Sequence, residues 1–191
     1  VRESVLRIGS KRLLNPDPFF RMPRELLLLR HAKSDWDAKS PSDFDRPLAK
    51  RGKKDAPRVG EWLYREGLVP DLVVSSPAER ARQTAVKVCK SMDFKKKKIA
   101  WDEEIYDADV PALLAVLARC PEQAATVLLI GHNPGLEELL RYLAGDEVES
   151  PSDGKLLPTA TLARLEMPND WSNLEPGCAQ LVNICRPRKP S

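Results

Sequence analysis

Two stretches, ELLLLRH (25–31) and TVLLIGH (126–132), decide how this chain is read. Each is a short apolar run that ends on a histidine, and the chain contains no other histidines. Working outward from them, short apolar runs alternate with helical patterns. A helix is expected around 48–66, a strand at DLVVSS (71–76), a helix around 77–91 and a short strand at IAW (99–101). A helix around 110–119, the second quoted strand and a helix around 134–144 follow. This order implies an α/β domain with a mainly parallel sheet. Pro57 should kink the first helix or delay its start to Asp55. TATLARLEM (159–167) and CAQLVNICR (178–186) alternate with partial period two and are expected to pair antiparallel at the end of the sheet.

Composition narrows the function classes. With 191 residues, 42% hydrophobic and 31% charged, the chain fits one globular domain, expected over 25–186, with an arm at 1–24 and a tail at 187–191. The arm reads as disordered, as an organellar targeting remnant or as an extended start before Met22. A net charge of +3, from 31 basic and 28 acidic residues, is too small to suggest a nucleic-acid partner. The basic run Lys95–Lys98 reads chiefly as a solvated loop. The four scattered cysteines, Cys89, Cys120, Cys178 and Cys185, read as free thiols of a reducing compartment, so a cytoplasmic location is expected. No apolar stretch is long enough to cross a bilayer, and no membrane partner is expected.

The chemistry gathers at the strand exits. In open parallel sheets the ligand crevice lies beyond the carboxyl ends of the strands, so His31 and His132 can meet there. In SSPAERARQTA (75–85), Ser76 reads as an N-cap and Pro77 as the first helical residue. Arg80, in the first turn, would lean back into the crevice, whereas Arg82 faces elsewhere. Asn133 and Pro134 read as the start of another helix, whose free N–H groups and dipole favour an anion. Arg30 adds a planar donor fork suited to phosphate. The long connection from Ala32 to Pro47 reads as a pocket rim, with Trp36 packed beneath it or covering core. Neither a P-loop nor a C-x5-R phosphatase loop is present.

LLLLRHAKSDW, DFDRPLAKRG, SSPAERARQTA and LLIGHNPG, in this order, resemble the histidine phosphatase superfamily, which includes the cofactor-dependent phosphoglycerate mutases. The short chain and the segment from Asp43 to Leu48 resemble its SixA-type phosphohistidine phosphatases. The resemblance implies a three-layer α/β/α fold with an antiparallel C-terminal strand pair. It implies a phosphatase in which His31 is the nucleophile, Arg30 and Arg80 bind phosphate, and His132 stabilises transition-state charge. Arg46 would line the pocket mouth or contact substrate, with Asp43 and Asp45 holding its loop, and Asn133 is a further candidate for substrate binding. Ala32 stands where the family usually has glycine.

For the general acid, the segment WDEEIYDAD (101–109) corresponds to where larger relatives carry one, making Glu104 the first candidate and Glu103 the second. Guanidinium groups would neutralise the phosphoryl charge, so neither metal nor cofactor is expected. The expected substrate is a phosphohistidine protein. The alternatives are a small phosphate monoester, a mutase reaction, or a non-catalytic phosphate-binding module.

Overall fold

The computed structural model describes residues 24–145, 148 and 154–186. Six strands form one mixed sheet: β1 (Arg24–Arg30), β2 (Leu72–Ser75), β3 (Ile99–Trp101), β4 (Thr126–Gly131), β5 (Leu162–Met167) and β6 (Gln180–Cys185). Their spatial order is β3-β2-β4-β1-β5-β6. The first four are mutually parallel, and β5 runs antiparallel to both β1 and β6. Among the described residues the α-helices are α1 (Lys50–Arg65), α2 (Glu79–Ser91), α3 (Val110–Ala118) and α4 (Gly135–Ala144). The expected arm falls outside the described residues except for Arg24, which opens β1, and so does the tail.

The unbroken leucine run of β1 has a direct cause. Successive strand side chains point to opposite faces, and a central parallel strand is covered on both. Leu26 and Leu28 pack into one core with α3 and α4, whereas Leu27 and Leu29 pack into the other with α1 and α2. The result is the three-layer α/β/α architecture. Where α1 and α2 cross, Gly60 allows close contact: a Cβ there would lie 2.2 Å from the Val88 carbonyl oxygen.

Register then positions the site. β1 and β4 are neighbours with Arg30 opposite Gly131, so His31 and His132 leave the sheet side by side. β2, on the other flank of β4, has Ser75 opposite Ile130 and delivers Ser76 to the same edge.

Three local expectations need correction. α1 runs from Lys50 through Pro57, so its start is not delayed to Asp55. The apolar face of α1, with Ala56, Val59 and Leu63 buried, outweighs the one backbone hydrogen bond that a proline removes. α2 begins at Glu79 instead of Pro77, and α4 at Gly135, so Ser76 and Asn133 are not their N-caps. Residues 159–161 do not extend β5 but turn beneath the site, with Ala160 in the left-handed region at φ 58°.

Candidate active site

His31 is held in a defined tautomer. Its Nδ1 lies 2.8 Å from the Ala32 carbonyl oxygen, which can only accept, so the ring proton is on Nδ1 and Nε2 keeps its lone pair. Burial pushes its pKa down to about 3; the hydrogen bond to Ala32 opposes this, and the charges of Arg80, Arg30 and Arg46 reinforce it. The imidazole is therefore neutral at physiological pH, as a nucleophile must be. Ala32 is fully buried, and its N–H donates to Thr84 Oγ1 at 3.0 Å. Among the described residues, only Asp93, Asp107 and Ala160 are non-glycine residues with positive φ, so Ala32 occupies the glycine position of the motif without strain.

His132 stands beside His31, with 5.1 Å between ring centroids. Its Nε2 is 2.9 Å from Ser76 Oγ, while its Nδ1 is buried without a protein partner. Burial, followed by the neighbouring His31 and Arg80, lowers its pKa to about 3 as well. Tyr106 closes the other side of this ring edge-on, at 5.5 Å.

Three arginines complete the basin. Arg30 anchors through Nη1 to the Leu157 carbonyl oxygen at 2.9 Å. Arg80, almost fully buried, donates to the Asp43 carbonyl oxygen at 2.7 Å and pairs with Asp43 Oδ2 at 3.0 Å. Arg46 donates to Asp43 Oδ1 through Nε at 3.0 Å and Nη2 at 2.7 Å, and its Nη1 bonds Ser34. Asp43 thus ties two cations together, and its hydrogen bonds from Arg46 followed by the charge of Arg80 hold its carboxyl below the usual range. Arg30 Nε and Arg80 Nε are buried without partners. Buried donors left unpaired are costly, and an anion with several acceptor oxygens is the natural complement of such a basin.

The cavity over these groups measures about 500 Å³. Arg30, His31, Arg46, Arg80, His132 and Asn133 all line it. The Asn133 side chain is largely committed to structure, however, because Nδ2 donates to Glu137 at 2.6 Å and to the Leu157 carbonyl oxygen at 3.0 Å. Asp45 braces the rim by accepting from Ser42 Oγ at 2.7 Å.

Glu104 is not part of this cavity. The 3₁₀ turn Glu103–Ile105, capped by Asp102, turns Ile105 into the core and leaves both glutamates exposed. Arg119, just past α3, then takes Glu104 at 2.8 Å and Asp102 at 2.7 Å. Tyr106 and Asp107 face the cavity instead. A general acid is worth about 10²–10⁴-fold in rate, so Glu104→Gln separates the two placements: turnover should stay within about twofold of wild type in a steady-state assay.

Trp36 corrects a second expectation. Instead of packing under the rim or covering core, it is 70% exposed and lies on the Arg46 guanidinium, 3.7 Å from ring centroid to Cζ. Arg82, as its helical position suggested, is exposed and outside the cavity. Sequence reading missed Ser76, which resembles a helix cap, and Tyr106. It also missed the segment from Leu157 to Ala160, which supports the site through main-chain groups: the Ala160 N–H donates to the carbonyl oxygens of Arg30 at 3.2 Å and His31 at 3.3 Å. Such contacts leave no side-chain signature.

The histidine pair has a measurable consequence for stability. Both titrate near 3 when folded against 6.5 for an unperturbed imidazole. Below pH 6.5 the unfolded chain takes up protons that the folded chain refuses, so stability is complete above that value and falls as pH drops towards 3. Urea midpoints should therefore decline from pH 7 to pH 5, and a His31→Asn, His132→Asn double variant should flatten that decline.

The profile of the histidine phosphatase superfamily, branch 1, matches residues 26–110. An uncharacterized protein of Mycobacterium tuberculosis is 33% identical over 164 residues, covering 84% of this chain and 100% of that protein. A structure from Nakamurella multipartitia, provisionally named phosphohistidine phosphatase SixA, superposes with a TM-score of 0.73 at 29% identity, covering 86% of this chain and 96% of that one. The protein histidine phosphatase SixA complexed with tungstate superposes with a TM-score of 0.71 at 25% identity, covering 85% and 97%. With the two strand-exit histidines, the arginine basin and the phosphoglycerate mutase-like sheet in the same chain, this protein belongs to the histidine phosphatase superfamily, in its SixA-like branch.

Proposed function

We propose that this phosphatase removes the phosphoryl group from phosphohistidine on a protein, through a phosphohistidine intermediate on His31. The observation that carries this reading is the hydrogen bond from His31 Nδ1 to the Ala32 carbonyl oxygen, which leaves Nε2 unprotonated at the floor of an arginine-lined cavity. Nε2 attacks phosphorus and the bond to the leaving group breaks. Water then attacks the phosphoryl group on His31, releasing inorganic phosphate and the free imidazole. Arg30, Arg46 and Arg80 neutralise charge on the phosphoryl oxygens, where catalysis of this transfer chiefly acts, and the neutral His132 beside them offers a hydrogen bond.

The choice of leaving group follows from the acid. The carboxylates that line the cavity are Asp43, locked between two arginines, and Asp107. An alkoxide leaves only with a proton, whereas an imidazole leaves more readily, so a site with one of its two lining carboxylates held ionised suits phosphohistidine better than a sugar phosphate. The four free thiols fit a cytoplasmic location. The test is phosphate release from a phosphohistidine peptide, phosphoserine and several sugar phosphates under matched conditions. Efficient turnover of sugar phosphates with phosphohistidine left intact would refute the reading, and phosphoryl transfer between substrates without net release would point to a mutase.

A further inference from the structure

Trp36 is the largest exposed apolar side chain at the cavity mouth, and exposure of a tryptophan to 70% withholds from burial the residue with the most apolar area to gain by it. It is nevertheless fixed. The segment before it is pinned to the far side of the rim by a bridge between Ser34 and Leu48 and by the Asp35 N–H donating to the Pro47 carbonyl oxygen at 2.9 Å. One face of the indole lies on Arg46, whose guanidinium is itself held in plane by Asp43 and Ser34. The other face is open.

We propose that Trp36 forms an aryl-binding subsite that takes the planar ring of the leaving group beside the transferring phosphoryl, a role that rests on the phosphatase reading above. The cavity divides along these lines. Arg30 and Arg80 supply the charge for a phosphoryl group beside the two neutral histidines, while the exposed Trp36 lines the same cavity and leaves room beside it for the substituent. At about 500 Å³ the cavity exceeds what a phosphoryl group alone fills. An indole stacked on a bound guanidinium is already ordered, so a second ring can stack on it with little further loss of side-chain freedom. The substrate class that fits is a phosphoryl group attached directly to a flat ring, of which phosphohistidine is one member and an aryl phosphate another.

Phenylphosphonate and methylphosphonate, which share the charged head and cannot be hydrolysed, separate the subsite from the chemistry. By titration calorimetry, wild type should bind phenylphosphonate about three- to tenfold more tightly than methylphosphonate, the range expected for one aromatic stacking contact. Trp36→Ala should remove that preference while leaving methylphosphonate affinity unchanged, and Trp36→Phe should retain most of it. Because the side chain is exposed, neither substitution opens a core cavity. Equal weakening of both ligands in Trp36→Ala would mean that the indole only braces Arg46, and would overturn the proposal. Wild type without a preference, or without binding of either phosphonate, would overturn it too. Preference for phenylphosphonate in a protein that hydrolyses no phosphohistidine would leave the subsite standing and remove the functional reading instead.

Discussion

His31→Ala should lower phosphate release by about 10⁴–10⁶-fold, the loss seen when a nucleophile that works as part of a unit is removed. The loss should appear in kcat with little change in affinity for phosphate, since Arg30, Arg46 and Arg80 remain. Rapid quench with a radiolabelled phosphoryl donor gives the sharper readout. Wild type should carry an acid-labile, base-stable label, and His31→Ala none. His132→Ala keeps His31 and loses a hydrogen-bonding neighbour of the phosphoryl group, so it should still accept label, more slowly. A label that persists in His31→Ala would place the nucleophile elsewhere. No label and no turnover in wild type would favour a phosphate-binding module.

Arg80→Ala should be the second largest loss, about 10²–10³-fold in kcat, as for removal of one preorganised donor from a transition-state oxyanion. Its effect has two parts. The guanidinium is a buried cation beside both histidines, and it also holds Asp43, which holds Arg46. Removing Arg80 leaves Asp43 with the Arg46 ion pair and the Tyr106 hydroxyl, and frees the rim loop at its Asp43 carbonyl. Arg80→Lys should restore little, because an ammonium cannot reach two acceptors on Asp43 and still present a planar fork to phosphate. An Asp43→Asn variant tests the division: it should cost less than Arg80→Ala in kcat, as it removes the tie and keeps the cation. Steady-state kinetics on one substrate decide between these, and an Arg80→Ala enzyme with unchanged kcat would exclude Arg80 from the transition state.

The line between what sequence determined and what tertiary structure decided runs through particular residues. ELLLLRH and TVLLIGH carried both the fold and the meeting of the histidines, because an apolar run buried on two faces must be a central strand, and residues just past neighbouring strands must share an edge. Arg80 was legible because a first-turn helical side chain leans towards the N-terminus. The proton on His31 Nδ1, the tie between Arg46 and Arg80 through Asp43, and the outward turn of Glu104 towards Arg119 were not legible. Each depends on partners 1 to 37 residues away whose meeting is set by loop backbone, which has no period to read. Trp36 marks the boundary most clearly. Its bulk alone argued for burial, and only the position of Arg46 beneath it leaves one indole face open at the mouth of the cavity.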